Sequence, residues 1–77
     1  MQLWRENRAW QTDPFAILTA RELDVLKEVA RGLSNKEVSG NLSISEQTVK
    51  VHIRSVLRKL NVRSRVAATV LWLESHQ

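Results

Sequence analysis

Helix-start signals at Thr19, Ser34 and Ser45 constrain the fold of this chain more than any other feature of its sequence. At the first two, a glutamate follows three residues later, which is the capping-box pattern at the beginning of an α-helix. Because Ser45 must already cap a third helix, the second helix is short and only Leu42–Ile44 remains as the turn. Two helices joined by so short a turn are predicted to form a helix-turn-helix.

The first and last helices are predicted from the same kinds of signal. Gly32 follows the apolar stripe of the first helix, where a left-handed C-terminal cap is expected. Ser64 is expected to cap a fourth helix. The stripe of the first helix consists of Leu23, Leu26, Val29 and Ala30. The sequence therefore predicts an all-α fold, a bundle of four helices.

The third helix, from about Glu46 to Leu60, is predicted to have one apolar face and one basic face. At about 100° per residue, the apolar stripe comprises Val49, Ile53, Val56, Leu57 and Leu60. The opposite stripe comprises Gln47, Lys50, Val51, Arg54 and Arg58. A DNA recognition helix reads bases mainly from its N-terminal half, which predicts a base-reading role for Gln47, Lys50, Val51 and Arg54. The alternative is an ordinary amphipathic surface helix.

Polar side chains beside the basic face are expected to contact DNA phosphates, which fix the register without reading sequence. On one flank of the third helix these are Thr48, His52, Ser55 and Lys59. The same role is predicted for Lys36, Ser45, Arg58 and Arg65. His52 has no carboxylate or cysteine near it in sequence, so a metal-binding or catalytic role is not expected.

The charge distribution favours a polyanionic partner. The formal net charge is +4, and the segment from Gln47 to Leu73 carries six lysines and arginines but no acid. A basic field on one side of a domain suits nucleic acid. The alternative is a solvated charged face without a partner.

The chain is expected to divide near Pro14, because the residue before a proline disfavours helix. Residues 1–17 are interpreted as a linker or N-terminal arm, and residues 18–77 as the helix-turn-helix domain.

On the fourth helix, Val66, Ala67, Val70 and Leu73 are expected to close the core. Ala68, Thr69, Leu71 and Trp72 are then expected to form an exposed dimerisation surface. The alternative is that the arm, with Trp4 and Trp10, folds over that surface.

Several function classes are disfavoured. The 77 residues include no cysteine and no glycine-rich phosphate loop, so we expect no enzyme, metal site or cofactor. No apolar run approaches the ~20 residues that span a bilayer. A sigma-factor-like promoter-binding module and a protein-interaction module that uses the Trp72 surface are the alternatives to a DNA-binding regulator.

The segment LTARELDVLKEVARGLSNKEVSGNLSISEQTVKVHIRSVLRKLNVRSRVAA resembles the LuxR-type (GerE-type) helix-turn-helix domain. Within that family it resembles the output domains of NarL/NarP-type nitrate/nitrite response regulators. The resemblance implies a cytoplasmic bacterial transcription factor of a two-component system that binds promoter DNA as a homodimer through its last helix. It also implies a receiver domain in the full-length protein and contact with RNA polymerase. The family's base-reading positions correspond to Lys50, Val51 and Arg54.

Three departures from the family pattern have consequences. Arg54 stands where relatives often have a lysine, so the preferred base at that contact is expected to differ. Ser39-Gly40 replaces an alanine and a longer residue, and the second helix is expected to be short or frayed at its end. A chain without a receiver domain is expected to bind DNA constitutively.

Overall fold

Four α-helices follow one another with short connections in the computed structural model, which describes residues 13–76. A one-turn 3-10 helix at Pro14–Ile17 precedes them. The helices are α1 (Ala20–Ala30), α2 (Asn35–Leu42), α3 (Glu46–Leu60) and α4 (Arg65–Ser75). The predicted all-α, four-helix architecture is confirmed, and the predicted bounds of α3 are those observed.

Side chains cap every helix at its start, as the sequence predicted. Thr19 and Ser34 each accept a hydrogen bond from the backbone N–H of a glutamate three residues later, and that glutamate accepts from the capping residue's N–H. Ser45 and Ser64 cap α3 and α4 in the same way, without the reciprocal glutamate. These contacts satisfy N–H groups that have no partner inside the helix. The turns are therefore positioned by local chemistry.

Left-handed residues end the first three helices. Gly32 follows α1 with a φ of 85°, and Ser43 and Asn61 end α2 and α3 with a φ of 57°. The prediction for Gly32 is confirmed. Helix α2 continues through Gly40 to Leu42, one residue beyond the expected end, and Ser43 alone reverses the chain.

Helix α3 contributes to both apolar clusters of the core. One cluster consists of Phe15, Leu26, Val56, Leu60 and Ala68, and the other of Val25, Val29, Val38 and Val49. The predicted apolar stripe of α3 is confirmed: three of its five members are buried, and Ile53 and Leu57 pack against the clusters. Because this stripe faces α1, α2 and α4, the opposite side of α3 faces solvent. Among residues 13–76, no helix is long and apolar enough to cross a bilayer.

The 3-10 turn belongs to the helical domain. Phe15 is only 7% exposed, and its ring meets Trp72 edge-on at a centroid distance of 5.0 Å. Asp13 caps the turn by accepting from the N–H of Phe15 at 3.0 Å. The described structure therefore includes a turn, beginning at Asp13, that packs on the helices, and the domain boundary at residue 18 stays a prediction. The proposed contact of Trp4 and Trp10 lies outside the described residues.

The predicted orientation of α4 is wrong. Ala68 is buried, and Leu71 and Trp72 pack against the core cluster that contains Phe15. Val66, Val70 and Leu73, expected in the core, are 70%, 46% and 50% exposed. Both sides of this helix are apolar, so its periodicity could not decide which side is buried. Phe15, assigned to the linker, supplies the partner that decides it.

Substituting Gly40 by alanine should stabilise the domain. An added Cβ would meet no heavy atom within 4 Å, and Gly40 lies inside a helix. The gain in helix propensity and the smaller unfolded-state entropy predict about 0.5–1 kcal/mol. Urea denaturation followed by circular dichroism measures it.

Gly32→Ala is the matched comparison, since its Cβ would also meet open space but its φ is 85°. Strain at that backbone conformation should lower stability by about 1 kcal/mol. Equal effects at both glycines would contradict this assignment.

Candidate nucleic-acid interface

One face of α3 presents the four side chains predicted to read bases. Gln47, Lys50, Val51 and Arg54 are all exposed, and Val51 is 48% exposed. They lie in the first two-thirds of a fifteen-residue helix whose opposite face is in the core. The structure therefore brings this predicted set together on a single solvent-facing surface, with two cations flanking an apolar side chain.

The first turn of α3 adds hydroxyl groups to this surface. Ser45 accepts from the N–H of Thr48 at 3.0 Å and donates its own hydroxyl hydrogen to the Thr48 hydroxyl at 2.8 Å. That arrangement leaves the hydrogen of the Thr48 hydroxyl free to donate to an anion. Lys36, on the first turn of α2, is also exposed. Ser45 and Thr48 thus form a polar rim at the start of this face, and Lys36 adds an exposed cation on α2.

On one flank of α3, two of the predicted phosphate contacts are occupied inside the protein. The Glu22 carboxylate is 6% exposed and accepts from the Ser55 hydroxyl at 2.6 Å and from the Lys59 ammonium at 2.8 Å. The same carboxylate accepts from the N–H of Thr19 at 2.9 Å. The sequence analysis identified the cap but missed the other two bonds, which span 33 and 37 residues.

The surroundings of Glu22 keep it ionised. Burial alone would raise its pKa, but the hydrogen bonds from Lys59, Ser55 and Thr19 outweigh burial and lower the pKa from 4.5 to about 2. Hydrogen bonds to the charged form of a carboxylate have this effect. Lys59 thereby gains a fixed counter-charge, and its positive charge is partly neutralised before any DNA is bound.

On the other flank, Arg65 connects the starts of two helices. Its guanidinium donates to the carbonyl of Leu33 at 2.8 Å and to the side-chain oxygen of Asn35. Arg65, which is predicted as a phosphate contact, ties α4 to the turn before α2. Lys50 and Arg54 lie beside it along a shallow groove. The flank is basic, but one of its cations already has protein partners.

The remaining predicted phosphate contacts have few or no protein partners. Arg58 is exposed and lies 3.4 Å from the Ser55 hydroxyl, a long hydrogen bond. His52 is half-buried on the same side of the helix as Thr48. A surface with several available cations can bind a polyanion by replacing its counterions.

Comparison with known proteins decides the family. The sequence profile described as "Bacterial regulatory proteins, luxR family" matches residues 16–72. The chain belongs to this luxR family. The match begins next to Phe15 and ends at Trp72, the aromatic pair that closes the core of this luxR-family domain.

Curated relatives are regulators of the same kind. The nitrate/nitrite response regulator protein NarP of Escherichia coli is 67% identical over 91% of this chain, and NarL of the same species is 44% identical over 95%. A nitrate/nitrite response regulator homologue from Haemophilus influenzae is 57% identical over 92%. The chain spans about a third of the length of these relatives, from 33% to 34%.

A solved structure shows the same fold. The response regulator StyR superimposes with a TM-score of 0.78 and 41% sequence identity, over 95% of this chain and 37% of that one. The family resemblance stated from the motifs is confirmed. Since the family is described as regulatory proteins and these relatives as response regulators, the expectation that the chain is not an enzyme is confirmed as well.

Stability should fall as acid protonates Glu22. A carboxyl whose pKa is 4.5 unfolded and about 2 folded stabilises the folded state above pH 4.5, and this contribution is lost as the pH falls to 2. The loss is on the order of 2–3 kcal/mol. Urea denaturation at several pH values measures it.

Glu22→Gln should lower stability at pH 7 and flatten this acid dependence, whereas Glu28→Gln on the same helix should leave the dependence in place. If the dependence were equally steep in wild type and Glu22→Gln, Glu22 would not be its source.

Proposed function

We propose that this luxR-family domain binds promoter DNA sequence-specifically as the output domain of a bacterial two-component response regulator, with α3 in the major groove. The observation that carries the proposal is the exposed face of α3, where Lys50, Val51 and Arg54 project on the side opposite the buried stripe. A helix of this diameter fits the major groove, whose base edges distinguish all four base pairs.

Each side chain of the face has a chemistry that suits a base edge. Lys50 and Arg54 can donate to O6 and N7 of guanine, and the guanidinium of Arg54 can do so with two parallel hydrogen bonds. Val51 can contact the methyl group of thymine, and Gln47 can pair with adenine. Sequence preference would come from this set.

Phosphate contacts are proposed for the polar side chains around the face that, within the part of the chain that the structure describes, make no hydrogen bond to residues far away in sequence. These are Lys36, Ser45, Thr48, His52 and Arg58, which border the face at the start of α2 and along α3. Ser55, Lys59 and Arg65 are assigned mainly structural roles, because Glu22, Leu33 and Asn35 hold them.

The domain is proposed to pair as a homodimer on DNA through α4, by a different side of the helix than the sequence predicted. Val66, Val70 and Leu73 recur at helical spacing and form one exposed apolar stripe. Of the residues first assigned to the interface, Ala68, Leu71 and Trp72 pack inward, and Thr69 lies at the border of the stripe. An exposed apolar stripe on a terminal helix suits a self-complementary, two-fold contact.

Further partners are proposed for the whole protein. The relatives named above are about three times as long as this chain and are called response regulators. The proposal is that the full-length protein carries a receiver domain, contacts RNA polymerase at promoters, and acts in the bacterial cytoplasm at the nucleoid.

Fluorescence anisotropy tests the central proposal. A labelled duplex with inverted half-sites of the nitrate/nitrite regulator type and a scrambled duplex are titrated at low and moderate salt. Preference for the paired site that persists as salt rises supports sequence-specific reading. Equal binding that disappears with salt, followed by a random-site selection that enriches no motif, contradicts it.

Removing either cation of the face should relax specificity. Lys50→Ala or Arg54→Ala should cost about 1–3 kcal/mol on the preferred site and little on scrambled DNA, because a base contact is lost. Lys27→Ala, an exposed cation beside Trp72 and far from this face in the fold, is the control and should change neither. An equal loss on both duplexes would reassign the residue as a phosphate contact.

Val70→Glu should abolish cooperative occupancy of paired half-sites while leaving binding to one half-site nearly unchanged, since the residue is exposed and apolar. Leu71→Ala should instead lower thermal stability by about 2 kcal/mol or more, because its side chain packs against the core. Anisotropy on single and paired sites, with a thermal melt of each variant, separates the two effects. Cooperativity that survives Val70→Glu would exclude this stripe as the interface.

A further inference from the structure

The apolar contacts of α3 do not by themselves fix its rotation about its own axis. Val49, Val56 and Leu60 are buried, but hydrophobic burial is non-directional and tolerates small rotations of a helix in its groove. The exposed face must nevertheless point in one direction, since a base contact depends on donor distances of about 2.7–3.2 Å. Some directional contact on the side of the helix is needed.

Glu22 supplies such a contact. Ser55 and Lys59 are one helical turn apart on the same flank of α3, and both donate to its carboxylate, one to each oxygen. The oxygen that accepts from Lys59 also accepts from the N–H of Thr19, so the carboxylate is fixed to the first turn of α1. Glu22 is thus joined to α1 by the backbone and to α3 by two side chains.

We propose that Glu22 is a positioning residue for DNA recognition: its contacts with Ser55 and Lys59 fix the rotation of α3 and so the direction in which Lys50 and Arg54 project. This inference rests on the proposed function. A second consequence concerns Lys59, whose side chain is one-quarter exposed. Its pairing with Glu22 withholds part of its charge from DNA phosphates.

Glu22→Gln tests both statements, because glutamine keeps the shape and the cap but loses the charge. The ratio of Kd values for scrambled and preferred duplexes should fall about tenfold, which is ~1.4 kcal/mol of discrimination. Binding to scrambled DNA should become tighter and its log-log salt slope steeper by about 0.9, one phosphate's worth, because Lys59 loses its counter-charge. All titrations are made at a temperature where circular dichroism shows every variant folded.

Two further variants separate positioning from stability. Ser55→Ala removes one bond to α3 and leaves both the cap and Lys59, so it should reduce discrimination without steepening the salt slope. Glu28→Gln removes the same charge from the same helix, where its partners are Arg31 and Asn41 rather than α3, and should change neither quantity. In the double variant of Glu22 and Ser55, the loss of discrimination should be less than additive.

The outcomes are distinct. A lower melting temperature for Glu22→Gln with an unchanged Kd ratio would overturn the inference and make Glu22 a purely structural residue. Equal losses in Glu22→Gln and Glu28→Gln would overturn it too, since net charge alone would explain them. If the wild-type domain prefers no sequence after random-site selection, the proposed function fails, and the positioning role falls with it.

Discussion

Burial of one stripe of α3 is the interaction on which the rest of the structure depends. Val49 lies in one core cluster, and Val56 and Leu60 in the other, so this helix joins the two. Each such side chain contributes ~1.5–3 kcal/mol when removed from water. Helices α1, α2 and α4 pack around the stripe, and this leaves the opposite face of α3 as the surface that carries the cations.

Polar contacts add the directional constraints between helices that apolar packing lacks. The carboxylate of Glu22 lies at the junction of α1 and α3, and Arg65 connects the starts of α2 and α4. Within the described residues, no buried side-chain polar atom lacks a hydrogen-bond partner. Satisfied networks of this kind specify one arrangement of a small core more sharply than apolar packing does. The same residues that look suited to DNA phosphates are therefore used to orient the helices.

Local signals predicted the helix starts well and the packing of one helix badly. Thr19, Ser34, Ser45 and Ser64 cap their helices as expected, because a cap depends on residues within one turn of each other. The orientation of α4 was wrong because both of its sides are apolar. Only the position of Phe15, brought beside Trp72 by the 3-10 turn, determines which side is buried.

The sequence by itself determined the helix starts, the buried stripe of α3 and the exposed set of Lys50, Val51 and Arg54, since these follow from capping and from a period of 3.6 residues. The tertiary structure alone decided which protein groups Ser55, Lys59 and Arg65 contact. Their partners are 30 or more residues away in sequence, and no local pattern encodes such a contact. The sequence pattern does not distinguish a lysine that binds phosphate from a lysine that pairs with a buried carboxylate. The two differ only in the residues that the fold places beside them.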